Sequence, residues 1–186
     1  MIAAGASFSA WLAKTSISAV SLPCTPRHSA VRNPRDAWTS ISIPWIAEHV
    51  IKQPKDYKSV GYIFKNIKVH PVYDNYLEFQ RCVGDKGLAV AFGHNAGSPM
   101  HHILKQFFDA TKFYLELYDH PTEIRQLCED MDPFFAHIHR VLADCPAEVI
   151  LYGSNFDDLI PYPPLFWHHI MPYLQKFADR IHPRGK

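Results

Sequence analysis

The 186 residues carry 19 Lys and Arg against 18 Asp and Glu, a formal charge of +1, with 47% hydrophobic and 20% charged residues. That length suits one domain with a substantial core, the balance of charge leaves no field to recruit nucleic acid or an anionic membrane, and no stretch reaches the roughly 18 to 20 consecutive apolar residues of a membrane span. Cys24, Cys82, Cys128 and Cys145 are separated by 58, 46 and 17 positions; with no C-x-x-C pair to suggest zinc or redox chemistry, they read as reduced, mostly buried thiols of a soluble, cytoplasmic protein.

In chain order, residues 1–50 read as an irregular N-terminal extension. The first 35 residues contain Lys14, Arg27, Arg32 and Arg35 but no acid, which is a transit-peptide composition without the sustained amphipathic pattern of one. Regularity begins at Ile51. Pro54 opens a helix in which Tyr57, Val60, Phe64 and Ile67 share a stripe, and Asp74 precedes a second helix, YLEFQRCV, closed by Gly84. GLAVAFG, 87–93, is an apolar run between glycines, predicting a strand covered on both faces as in parallel sheets. After the loop HNAGSP, 94–99, a helix carries Met100, Ile103, Leu104, Phe107 and Phe108. DHPTE then opens a longer helix whose buried stripe runs from Ile124 to Val141, with Pro133 expected to kink or interrupt it. EVILYG, 148–153, is the second strand, and Phe166, Ile170, Leu174, Phe177 and Ile181 mark a last helix containing Pro172 and followed by Gly185.

Strand, loop, helices, strand, loop, helix is the grammar of a parallel α/β fold, in which ligands bind at the loops after the strands' carboxyl ends. HNAGSP and SNFDDLIPY are those loops. In the first, His94 and Asn95 are the candidate binding residues; in the second, Ser154, Asn155 and Asp157, while Asp158 reads as a turn or helix-start carboxylate. No base is identifiable beside Ser154, so the sequence offers no nucleophile and no assignable catalytic residue. The paired histidines His101/His102 and His168/His169 are neighbours on helices and point about 100° apart, which does not chelate one metal as an i, i+4 pair does. Phosphate-binding loops, G-x-G-x-x-G and nucleophile-elbow spacings are absent.

The order of GLAVAFGHNAGSPM, FYLELYDHPTEIRQLCEDM and VILYGSNFDDLIPYPPLFWHHIMPYLQKFADRIHPRGK, over about Pro54 to Lys186, resembles the uroporphyrinogen decarboxylase superfamily, which includes the corrinoid:thiol methyltransferases. The resemblance implies a (β/α)8 barrel with its site at the C-terminal mouth and a substrate-contacting serine at Ser154. Residues 1–53 show no counterpart of the decarboxylase's arginine-rich signature and catalytic aspartate, and Lys105 stands where its helix carries a substrate-contacting tyrosine. The methyltransferases' zinc-binding histidine and cysteines have no counterpart in this chain.

The expectation is therefore an α/β chain forming a partial (β/α)8 TIM barrel over 51–186, from an enzyme nearer the methyltransferase members. No cofactor is held by this chain; zinc and a corrinoid would belong to the complete protein, and the partner would be a small-molecule substrate or a corrinoid protein. Tetrapyrrole decarboxylation is the alternative, for which Lys105 and Arg81 are poor substitutes for an arginine cluster. A final helix closing on HPRGK would hand over to another strand, so the chain reads as part of a barrel, inactive alone and inclined to self-associate or to need a complementing chain. A non-catalytic half-barrel module is the third reading.

Overall fold

The computed structural model describes residues 49–154, 156 and 160–186. Nearly all of the N-terminal extension, Cys24, Asn155, Asp157 and Asp158 lie outside the described residues. The rest is mixed α/β, mostly helical, with one short parallel strand pair.

Helix α1 (Lys55–Asn66) starts behind Pro54 and turns Tyr57, Val60 and Phe64 inward. Helix α2 (Asp74–Val83) ends at Gly84, whose φ of 49° is the left-handed conformation that glycine adopts without a Cβ penalty. Strand β1 (Val90–Phe92) follows. A four-residue turn, α3 (Pro99–His102), has Pro99 in its first turn, and the Ser98 hydroxyl accepts the His101 amide at 3.1 Å, satisfying one of the donors that a helix start leaves open. It widens into a π-type turn over Ile103–Phe107. Asp109 caps α4 (Ala110–Asp119) in the same way, accepting from the Lys112 amide at 2.9 Å.

Helix α5 (Pro121–Asp144) is 24 residues long and runs on through Pro133. The expected interruption does not occur; Pro133 sits on the exposed side, and the helix is held by the apolar stripe on its other face. Strand β2 (Val149–Leu151), a short turn α6 (Pro163–Leu165), a second π-type turn over Phe166–Ile170 and α7 (Met171–Ile181) complete the chain. Pro172 falls in the first turn of α7, where its missing N–H costs no helical hydrogen bond. Gly185, left-handed at φ 72°, donates its amide to the His182 carbonyl at 3.0 Å.

The main core lies between α1, α5 and the segment from α3 through the π-type turn. Phe64 meets Phe107 and Phe134 edge-on at centroid distances of 5.7 and 5.2 Å, and Phe135, Met131 and Leu127 are fully buried beside them. At Gly61, α1 comes so close to α5 that a Cβ would stand 2.3 Å from an Asp130 carboxylate oxygen. That carboxylate pairs with Lys65 at 2.7 Å and accepts from Gln126 at 3.0 Å. A smaller cluster of Tyr76, Ala89, Ala91, Cys145 and Ala147 sits on the α2 side of the strands.

The strands pair in parallel with Val90 opposite Val149 and Phe92 opposite Leu151. Alternation sends Ala91 and Ile150 toward the interior and leaves Val90, Val149 and Leu151 exposed. The expected cover on both faces is thus not found among the described residues. Half a barrel would supply roughly four strands, and the described residues supply two. Among the three described cysteines Cys82 is exposed, Cys128 half-buried and Cys145 buried. Among the described residues no helix is long and apolar enough to cross a membrane.

Candidate functional site

Pairing continues past the strands through two backbone bonds, from the Gly93 amide to the Leu151 carbonyl at 2.8 Å and from the Gly153 amide to the His94 carbonyl at 2.7 Å. Gly153 has φ 74°, so the chain turns sharply there and delivers Ser154 directly to the carboxyl end of the pair. The two loops selected from sequence are thereby brought side by side, with Asn95 and Ser154 in contact.

Between them stands Lys105, on the π-type turn after α3, a wide turn of the kind frequent at functional sites. Its Nζ donates to the Ser154 hydroxyl at 2.8 Å and, more distantly, to the Asn95 carbonyl at 3.3 Å, the Asn95 side-chain oxygen at 3.4 Å and the Ser154 carbonyl at 3.4 Å. The Ser154 hydroxyl in turn donates to the Asn95 carbonyl at 3.2 Å and to the Asn95 side-chain oxygen. The result is a closed cluster of one ammonium, one hydroxyl and one carboxamide, with Asn95 facing solvent and Lys105 half-buried. Partial burial strips hydration from the ammonium and lowers the Lys105 pKa from its usual value. The surrounding oxygens all accept from the charged form, so the amine is held in place whether or not it carries its third proton.

His94 lies beneath this cluster. Its ring is 8% exposed, stacks on His102 at 5.2 Å with planes 21° apart and meets the edges of Phe134 and Phe135. Its Nδ1 is 3.1 Å from both the amide and the carbonyl of Ala96, closing the loop on itself. Burial pushes its pKa down to about 4 against the opposing bond to the Ala96 carbonyl, with Lys105 adding to the fall. The ring is therefore neutral near pH 7 and forms the floor of the mouth. Just past β2, the Tyr152 hydroxyl lies 2.8 Å from His139 Nε2 and its ring packs tilted on Phe177 at 4.4 Å, which anchors the residue just before the Gly153 turn. Burial also pushes His139 down to about 4, with Arg180, His94 and Lys176 contributing in the same direction. Phe156 covers the loop from above, its ring 4.9 Å from His101.

Of the five residues singled out from sequence, Asn95 and Ser154 meet at the mouth, His94 packs below it, and Asn155 and Asp157 lie outside the described residues. Lys105 is the residue that sequence reasoning did not join to them. It stands 10 positions from Asn95 and 49 from Ser154, so no local spacing announces the contact; the signal was its place in the resemblance, where the family's helix carries a substrate-contacting tyrosine. A cavity of about 160 Å³ lies at the opposite, N-terminal end of the strands, between Tyr76, Gln80, Gly87 and Glu148, and takes in none of these residues.

The described residues of the mouth offer no zinc ligand set. Among the described residues no three His, Cys, Asp or Glu side chains gather as a ligand set, and the donors that do converge include an ammonium that repels a divalent cation. Comparison with family models, with curated proteins and with solved structures gives no match.

Proposed function

We propose that the chain is part of a uroporphyrinogen-decarboxylase-like enzyme, a portion of a (β/α)8 barrel, and that Asn95, Lys105 and Ser154 form a subsite for a carboxylate-bearing small molecule. The observation that supports this reading is the Lys105 ammonium held 2.8 Å from the Ser154 hydroxyl at the carboxyl ends of two parallel strands, where α/β folds bind their ligands. An incoming carboxylate would replace the Asn95 and Ser154 oxygens as acceptor from Nζ, and the serine hydroxyl, released from Asn95, would donate to its second oxygen. A charge-assisted contact of this kind contributes about 1.5–3 kcal/mol. Lys105 and Ser154 bind and orient in this account, and neutral His94 below them keeps a second charge away from the cation.

Of the two activities that the resemblance implies, decarboxylation of a carboxylated tetrapyrrole gives this cation a direct use, as the partner of a substrate carboxylate. The test is a fluorescence titration of the protein with a carboxylated porphyrin and, in parallel, its methyl ester and methylcobalamin. The acid should bind at least tenfold tighter than the ester, and Lys105→Met should weaken the acid by about ten- to a hundredfold. Equal binding of acid and ester would refute the carboxylate subsite, and preferential binding of methylcobalamin would favour corrinoid-linked methyl transfer.

A further inference from the structure

We propose that Ser154 is an acyl-accepting nucleophile with Lys105 as its general base, so that the mouth hydrolyses esters of small carboxylic acids. Three features of the structure point to this chemistry. The left-handed turn at Gly153 presents Ser154 as the first side chain after that turn, at the open end of the pair rather than within a helix or strand. Its Oγ is 2.8 Å from Lys105 Nζ, which donates to it as the ammonium and, as the neutral amine, stands within reach to take the hydroxyl proton now directed at Asn95. The Asn95 carboxamide touches the same hydroxyl, and when turned about its last torsion it offers an N–H to an oxyanion forming at that point. Partial burial of Lys105 acts in the same direction, since it favours the neutral amine that a base must be.

In the first step the Oγ–H proton moves to Nζ as the Oγ–carbon bond to the ester carbonyl forms and the carbonyl oxygen becomes an oxyanion. As the bond to the leaving alcohol breaks, its oxygen takes that proton from the Lys105 ammonium. Water then gives a proton to the neutral amine while its oxygen attacks the acyl carbon. Collapse of the second oxyanion expels Ser154, which recovers its proton, and the product is a carboxylic acid whose ionised form the lysine can hold. No oxidant, metal or further co-reactant enters.

The inference uses the same three residues as the carboxylate subsite but does not depend on it. The experiment is reaction of the whole chain with a fluorophosphonate probe, followed by intact-mass and peptide analysis, with the labelling rate measured from pH 6 to 10. A single phosphonyl adduct on Ser154, absent in Ser154→Ala, is expected, with a rate that rises through one ionisation. Lys105→Arg, which keeps the cation but not the base, should slow labelling about a hundredfold or more, in line with the loss of a general base, while the circular dichroism spectrum is retained. No adduct, an adduct at another residue, or a wild-type rate in Lys105→Arg would overturn the nucleophile. The location of the adduct and the pH profile are read on the unaltered protein and stand even where a variant fails to fold. Porphyrin binding without labelling would overturn this inference alone, and labelling without porphyrin binding would overturn the carboxylate subsite alone.

Discussion

Buried imidazoles make the fold sensitive to mild acid; alongside His94 and His139, the His102 ring stacked on His94 is also pushed well down by burial. His94 and His139 are held neutral, each with its pKa pushed from 6.5 to about 4, chiefly because burial removes the water that would solvate the charged ring. Lys105 faces the first, and Arg180 and Lys176 approach the second, so neither proton would meet a compensating anion among these neighbours. In the unfolded chain both rings take up a proton near pH 6.5. The folded pKa of each base is depressed, so the stability linked to it is complete above pH 6.5 and is lost as pH falls toward 4. The gap corresponds to about 3 kcal/mol for each ring over the whole range, and to about 2 kcal/mol each by pH 5. A loss of about 4 kcal/mol for the pair is a large part of the 5–15 kcal/mol typical of a domain. Urea unfolding at pH 8, 6.5, 5.5 and 5 should show a nearly constant free energy down to pH 7 and a steep fall below 6.5. His139→Gln should lower stability at pH 8 and remove about 2 kcal/mol of the fall reached by pH 5. A free energy that stays flat from pH 7 to 5 would refute the burial argument, since few carboxylates protonate in that interval.

Gly153→Ala places a Cβ at φ 74° and 2.3 Å from the Phe156 ring, and should cost about 1–3 kcal/mol by urea unfolding while weakening ligand binding at the mouth. Phe135→Ala empties a fully buried position between His94 and Phe134 and should cost about 3–5 kcal/mol, read as a lower thermal midpoint. Ser98→Ala removes the cap of α3 and should cost about 1 kcal/mol by the same measurement, with Ser98→Thr restoring most of it.

Most helix positions were legible because their signals are local, though α4 (Ala110–Asp119) was not separated from its neighbours. Pro54, Pro121, Gly84 and Gly185 mark ends through the geometry of their own backbones, and the stripes of α1 and α5 repeat within a few residues. The parallel pair was legible from its two apolar runs, but not which face would be covered, because Val90 and Ala91 are equally apolar and only packing separates them. Pro133 does not interrupt α5 because the long apolar face holds the helix on both sides of it. At the mouth, Asn95 and Ser154 followed from the rule that loops after strands meet. His94 occupies the same kind of position, yet its ring turned inward to stack on His102, a choice made by tertiary packing. Lys105 was hidden because its contact with Ser154 spans α4 and α5.

That span has a kinetic consequence. Val90 must find Val149 across 59 positions of chain, and closing a flexible loop of that length costs on the order of 3.6 kcal/mol plus a constant. A ladder of three residues a side cannot hold itself closed against that cost, whereas α5 against α1 buries its stripe first and shortens the search. The mouth should accordingly assemble late in folding and open early in native-state hydrogen exchange, with the Gly93 and Gly153 amides gaining and losing protection together. The geometry of the mouth is then a readout of helix docking some distance away: substitutions that loosen α5 on α1, with no contact of their own to Asn95, Lys105 or Ser154, would part Lys105 from Ser154 before they unfold the protein.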